Sequence, residues 1–325
     1  MIVVTGGAGF IGSALVWRLN QLGRNDIMIV DQLGTDDKWK NLVGLDYEEY
    51  SDKDEFLDIL LNSGFSFPID AILHMGANSA TTEKDADHLM SNNYRYTQLL
   101  ADYCIENNIR FVYASSAATY GDGSLGFIDD DSLAEKLRPL NMYGYSKNLF
   151  DIYANKRGII KQIAGVKFFN VFGPNEYHKG DMRSVVVKAF EQIQSTGKVQ
   201  LFKSLHPDYK DGEQMRDFVY VKDAVEQTLF LMNTPNANGL FNVGTGKART
   251  WIDLVTAIFT ALGKNVNIEF IDLPEQLKNK YQYYTQAPTR KIEVAGYSNG
   301  VTTLEDAVTD YVVNYLVPGK YLNND

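Results

Sequence analysis

Ile2-Val3-Val4-Thr5-Gly6-Gly7-Ala8-Gly9-Phe10-Ile11-Gly12 opens the chain, and its reading decides the fold. Three apolar residues make a short buried strand. Glycines at 6, 9 and 12 permit a tight turn, let the backbone approach a pyrophosphate, and let the next helix lie close to the sheet. That helix is carried by Leu15, Val16 and Leu19. A second strand, Ile27-Met28-Ile29-Val30, ends in Asp31, about 20 residues past the glycines, where an acid holds a ribose hydroxyl. A glycine triplet alone is weak evidence. With a strand before it, a helix after it and the acid behind it, the turn reads as a dinucleotide site.

Working outward, further strand–helix units follow. Ala71-Ile72-Leu73-His74 is a strand leading into Gly76-Ala77-Asn78-Ser79, and Asn93 to Cys104 is a helix. Phe111-Val112-Tyr113-Ala114 is a strand ending at Ser115-Ser116, and Ile163 to Phe168 is another. This alternation predicts an α/β fold, a Rossmann-type doubly wound parallel sheet with ligands at the carboxyl ends of its strands. From about Asn170 the elements shorten and aromatics and Gly/Pro turns increase. A helix over Asp223–Met232 and a strand over Leu240–Val243 return to the earlier pattern, and Pro274–Gln286 is polar and Tyr-rich, like a pocket wall or lid. The expected division is 1–169 plus about 217–244 for the dinucleotide domain. A smaller α/β substrate-binding domain takes 170–216 plus about 245–325.

The chain has 325 residues, 45% of them apolar, and a net charge of −10. It is well able to bury a core, and it lacks the basic stripe of a nucleic-acid binder. The single cysteine, Cys104, excludes an intramolecular disulfide, and His74, His88, His178 and His206 show no metal spacing, so no metal site is expected. No apolar run is long enough for a membrane span. The first strand begins at Ile2, so the expectation is a cytoplasmic protein without a cleavable signal.

Tyr143-Gly144-Tyr145-Ser146-Lys147 carries the chemistry. On a helix, Tyr143 and Lys147 stand one turn apart on one face. A phenol titrates near pH ~10, too high for a base at neutral pH. An ammonium beside it, with a nicotinamide cation near, is expected to lower that value.

These stretches, with Tyr120-Gly121 after the serines and Arg216-Asp217-Phe218-Val219-Tyr220-Val221, resemble the extended short-chain dehydrogenase/reductases, a family of nucleotide-sugar epimerases, dehydratases and reductases. Gly76 to Glu83, Phe169-Asn170-Val171-Phe172-Gly173-Pro174, Glu176-Tyr177-His178-Lys179-Gly180 and, more weakly, Tyr281 to Gln286 resemble its ADP-heptose 6-epimerase branch. That resemblance implies inversion of C6 in ADP-D-glycero-D-manno-heptose for lipopolysaccharide core supply. It also implies NADP as cofactor and a homo-oligomer, usually a pentamer. By resemblance Tyr143 and Lys179 are the acid/base groups, Lys147 holds the cofactor ribose, and Ser116 bonds the reacting oxygen. Cofactor contacts carried over are Gly6, Gly9, Phe10, Ile11, Gly12, Asp31, Gln32, Lys38, Lys53, Met75, Gly76, Ala77, Asn78, Ser79, Asn92, Tyr143, Lys147, Val171 and Lys179. Asp31 by itself selects NAD; in the family, lysines at the places of Lys38 and Lys53 accept the 2′-phosphate.

For the sugar nucleotide the resemblance implies Ser116, Asn170, Lys188, Arg216 and Tyr281, and places Asp181, Phe202, Lys203 and Ser204 near it. The residues at Asp181, Lys188 and Phe202-Lys203-Ser204-Leu205 depart from the family pattern. Lys179 also reads as a solvated loop lysine, and Arg216 as the ion-pair partner of a carboxylate such as Asp217. His178 reads as structural. Ala117-Ala118-Thr119 stand where a 4,6-dehydratase needs an acid pair, which argues against dehydration. A UDP-hexose 4-epimerase and a non-catalytic NADP-binding scaffold remain the alternatives.

Overall fold

The computed structural model describes residues 1–275 and 281–323. Its main sheet has seven strands: β1 (Ile2–Thr5), β2 (Ile27–Asp31), β3 (Glu49–Asp52), β4 (Ala71–His74), β5 (Arg110–Ser116), β6 (Ala164–Phe168) and, from later in the chain, residues Gly239–Val243. The order across the sheet is β3-β2-β1-β4-β5-β6 with Gly239–Val243 at the far edge, and every neighbouring pair is parallel. β1, β2, β4 and β6 are buried along their whole length, which is why they read as mainly apolar runs, although β6 also buries Lys167. The chain works outward from β1 to β3, then crosses back to β4. The crevice for a ligand therefore opens between the ends of β1 and β4.

Helices Phe10–Gln21, Lys53–Asn62, Tyr96–Glu106, Met142–Lys156 and Val221–Asn233 alternate with these strands. The helix that carries Tyr143 starts where Asn141 caps it, its side chain accepting from Gly144 N at 2.8 Å. Beyond β6 come β7 (Asn170–Phe172), β8 (Val199–Phe202), β9 (Met215–Tyr220), β10 (Gly239–Val243, the edge strand above), β11 (Ala248–Thr250) and β12 (Ile268–Ile271). β9 is the centre of a three-stranded sheet, antiparallel to β11 and parallel to β7, while β8 and β12 pair in parallel. One cluster of buried apolar side chains runs unbroken from Val4 and Leu15 through Val219 to Leu254, Ile258 and Val308.

Two elements differ from the sequence expectation. The helix expected from Asn93 begins at Ala86 and passes through a π-helical turn, Met90–Arg95, before Tyr96–Glu106. β3 and the helix Lys53–Asn62 have no counterpart in the sequence expectation: the strand, Glu49-Tyr50-Ser51-Asp52, lies at the sheet edge with only Ser51 buried, so no apolar run marks it. Within Pro274–Gln286, residues 276–280 lie outside the described residues. On their far side the chain runs along β9, with Met215 N donating to Tyr283 O at 2.9 Å and Thr285 N to Met215 O at 3.2 Å. Among the described residues no helix is long and apolar enough to cross a membrane.

Candidate active site

The glycine turn and the end of β4 touch. Gly6 has φ +66°, and a Cβ there would lie 2.6 Å from Gly76 N; a Cβ on Gly12 would lie 2.0 Å from Gly6 O. A side chain at Gly6 would collide with the backbone after β4, and one at Gly12 would push the helix off the turn. Asp31, buried at the end of β2, accepts from Ala8 N at 2.9 Å, Gln32 N at 2.7 Å and Lys38 Nζ at 2.8 Å. Lys38 also donates to Gln32 O at 2.6 Å. The acid is thus offset by its own ammonium. A small hollow of about 200 Å³ opens here, lined by Asp31, Gln32, Lys38, Lys53, Asn92 and His88. His88 is a residue that sequence reasoning did not place in a site.

A larger cleft, about 730 Å³, runs along the carboxyl ends of the strands. It brings together Gly6, Gly9, Phe10, Ile11, Gly12, Met75 to Ser79, Ser116, Tyr143, Lys147, Asn170, Val171 and Lys179. Lys147 is 3% exposed, and its Nζ has no hydrogen-bond partner among the described residues. Burial pulls its pKa down to about 8, with the Asp151 carboxylate one turn on pulling the other way. The expected depression of the Tyr143 phenol is not what the protein alone provides. Burial pushes that phenol above its ordinary value, and the hydrogen bond with Ser116 recovers part of the rise. Lys147 faces the cleft as a buried cation and adds no contact that would favour the phenolate.

Asn93 fixes this arrangement from the π turn. Its Oδ1 accepts from Asn78 N at 2.9 Å, and its Nδ2 donates to Asn78 O at 2.9 Å and Ser146 Oγ at 3.1 Å. Ser146 in turn donates to Tyr143 O at 2.7 Å. The turn after β4 and the Tyr143 helix are therefore joined through one buried amide.

Lys179 lines the same cleft from a different element, the short helical segment Tyr177–Met182. Its Nζ sits over the Phe10 ring, 5.3 Å from the centroid, with no carboxylate at ion-pair distance among the described residues. Burial lowers its pKa, and the Glu176 carboxylate opposes the fall. Burial also holds the neighbouring His178 imidazole down at about 4, so the ring is neutral; Asn41 Nδ2 stands 3.3 Å from its Nδ1. A phenol and an amine, both half-buried and free of ion pairs, thus face one cleft from different elements.

The pattern of the NAD dependent epimerase/dehydratase family matches residues 2–244. The chain belongs to this family. It is 58% identical over 316 residues to an ADP-L-glycero-D-manno-heptose-6-epimerase of Nitratidesulfovibrio vulgaris, covering 97% of this chain and 98% of that protein. The same-named protein of Fusobacterium nucleatum is 50% identical over 325 residues, with 97% and 98% covered. The crystal structure of the Helicobacter pylori ADP-L-glycero-D-manno-heptose-6-epimerase superposes with TM-score 0.79 at 27% identity, covering 96% of this chain and 95% of that one. An enzyme of this epimerase family works with a nicotinamide cofactor. The residues present fit such a dinucleotide: the glycine cradle would be filled by any Cβ, and the orphaned Lys147 ammonium points into the space beside it.

Several residues that the epimerase resemblance assigns to substrate lie outside the cleft lining. Arg216 is buried between Trp251 and Tyr281, 5.6 and 5.5 Å from their ring centroids, and donates to Met215 O at 2.8 Å and to Gln282 O. It does not pair with Asp217, whose carboxylate accepts from Thr245, Gly246 and Ala287. Phe202 meets Tyr281 edge-on at 6.5 Å, near this group. Lys203 is turned to Asp272 at 2.9 Å on the surface, and Ser204 Oγ to His206 O at 3.1 Å. Half-buried Lys188 donates to the carbonyl of exposed Asp181 at 2.7 Å. Lys53 pairs with Asp54 at 3.0 Å, and Asn92 donates to Asn93 Oδ1 at 3.1 Å.

Proposed function

We propose that the chain inverts C6 of the heptose in ADP-D-glycero-β-D-manno-heptose, giving the L-glycero epimer, with NADP as cofactor and Tyr143 and Lys179 as its two acid/base groups. The observation that carries this reading is that Tyr143 and Lys179 line one cleft from different elements, each without an ion-pair partner among the described residues. It is supported by the 58% and 50% identical relatives of that name. A bound nicotinamide supplies a hydride acceptor that later becomes the donor. The protein's share is to hold the sugar and to move one proton off and one proton onto the C6 oxygen. One of Tyr143 and Lys179 takes the hydroxyl proton as the ketone forms. The other returns a proton after the ketone has presented its opposite face. Ser116 bonds the reacting oxygen, and Lys147 holds the ribose. Segments 1–169 and about 217–244 hold the cofactor, and the remainder holds the sugar nucleotide. A 4-epimerase working with a single tyrosine has no use for Lys179. The product would serve lipopolysaccharide core assembly in the cytoplasm, made by a homo-oligomer, a pentamer as the family resemblance implies.

The deciding experiment is proton NMR of ADP-D-glycero-β-D-manno-heptose incubated with the protein. Signals of the C6 epimer should grow to an equilibrium mixture. Tight cofactor binding with no epimer formed would favour a scaffold instead.

The choice of NADP is supported by the Asp31–Lys38 ion pair and by Lys53 and His88 around the small hollow. In competition, NADP should bind at least about tenfold more tightly than NAD, the worth of one charge-assisted hydrogen bond. Lys53→Met should narrow that ratio, measured by calorimetric displacement. Equal affinities in the parent protein would refute the assignment.

A further inference from the structure

Glu176 is 1% exposed and has no ammonium at ion-pair distance among the described residues, yet the Lys179 chemistry does not use it directly. Its carboxylate collects donors from both ends of the segment that bears Lys179. Gly173 N donates to Oε1 at 3.2 Å, Ser184 N to Oε2, and Ser184 Oγ to Oε1 at 2.7 Å. A fourth donor, the Tyr311 hydroxyl, reaches Oε1 at 3.1 Å from a helical turn far along the chain, Tyr311–Leu316. An ionised carboxylate is an acceptor only, so it satisfies all four donors at once, which a neutral amide cannot do.

The neighbouring residue clamps the same segment. Asn175 is buried with φ +76°; its Nδ2 donates to Ser13 Oγ at 3.0 Å, and its Oδ1 accepts from Leu322 N at 3.0 Å. The segment is thereby tied at one point to the cofactor-side helix and at another to the C-terminal end of the described chain. Between the two clamps and Gly180, Lys179 has among the described residues its ring contact with Phe10 and the backbone bond from its N to Glu176 O at 3.1 Å.

We infer that Glu176 is a positioning residue for Lys179: its buried carboxylate closes the 173–184 segment into a fixed arch that holds the Lys179 amine over the reacting carbon. This rests on the proposed acid/base role of Lys179. A misplacement of about 1 Å in such a group costs about 10²-fold in rate. The structure assigns Tyr311 to the same clamp, as an outlying part whose loss should have a smaller effect of the same sign.

The test compares Glu176→Gln, Tyr311→Phe, Lys179→Met and the double variant Glu176→Gln/Lys179→Met, all saturated with NADP. Glu176→Gln should lower kcat about 10²-fold while the sugar-nucleotide KM and cofactor Kd stay within about twofold. It should also speed trypsin cleavage after Lys179 and Arg183 severalfold. Tyr311→Phe, which removes only one hydroxyl, should show both effects in weaker form and guards against a Glu176 variant that fails to fold. Because Glu176 acts through Lys179, the double variant should be no slower than Lys179→Met alone. Independent, multiplying losses in kcat overturn the inference, as does a Glu176→Gln kcat within about twofold of the parent. If Lys179→Met turns over normally, the acid/base reading falls, while the trypsin rates still report whether Glu176 closes the arch.

Discussion

Tyr143→Phe should lower kcat for epimerisation about 10³-fold, within the range that a positioned proton-transfer group contributes. The substitution removes a hydroxyl and keeps the ring, so the helix cap at Asn141 and the Ser146 bond to Tyr143 O remain. Cofactor affinity should hardly move, since the glycine cradle and the Lys147 ammonium are untouched. Lys179→Met should cost a similar factor. Its Nζ leaves no unpaired carboxylate behind, because Glu176 keeps its four donors, so the thermal midpoint should also stay put. The double variant should fall far short of the product of the two losses, as expected of groups that serve one reaction coordinate. Turnover by NMR and NADP affinity by calorimetry check each expectation. A kcat loss below about tenfold in Tyr143→Phe would remove the phenol from proton transfer.

The main sheet and the cofactor side of the site are legible in the sequence because their causes are local. A buried parallel strand is an apolar run, and a glycine that must meet another backbone has no substitute. The Tyr143–Lys147 spacing is likewise set by one helical turn. What stayed hidden was brought together from far along the chain. Glu176 reads as a charged loop residue, and nothing near it announces Gly173, Ser184 and Tyr311 as its partners. Asn93 reads as an ordinary helix-start amide, while the π turn sets it between Asn78 and Ser146. The π turn itself leaves no compositional mark. The electrostatics were also out of reach: spacing placed an ammonium beside the phenol, but burial, which raises Tyr143, depends on what the other elements cover.

Asp151 and Lys167 are the sharpest case of polar residues whose meaning comes only from the fold. One lies in the interior of the helix Met142–Lys156 and the other in the inner strand β6, positions where a charge reads as solvent-facing or misplaced. In the structure they are 0% and 1% exposed and pair at 3.0 Å. Tyr113 and Ser115 hydroxyls donate to the same carboxylate at 2.9 and 2.8 Å, and Lys167 donates to Thr119 Oγ1 at 2.6 Å beneath the Tyr120 ring. Asp151→Asn should therefore destabilise the protein by about 3–5 kcal/mol, because it leaves a buried ammonium without its counter-charge. Urea unfolding at neutral pH measures this, and a loss below about 1 kcal/mol would mean that water or movement relieves the charge. Lys167→Met should cost less, since the carboxylate keeps two hydroxyl donors, and the double variant should recover part of the loss.

The pair also bears on catalysis. Asp151 lies one turn beyond Lys147 and opposes the burial that holds that ammonium at about 8. A base whose pKa is pulled down keeps its proton below that value and loses it as the pH rises through it. Without Asp151 the loss begins at lower pH, so NADP affinity in Asp151→Asn should start to fall at a lower pH than in the parent protein, whose ammonium titrates at about 8. The buried carboxylate one turn from Lys147 would then set the pH range over which Lys147 can hold the cofactor.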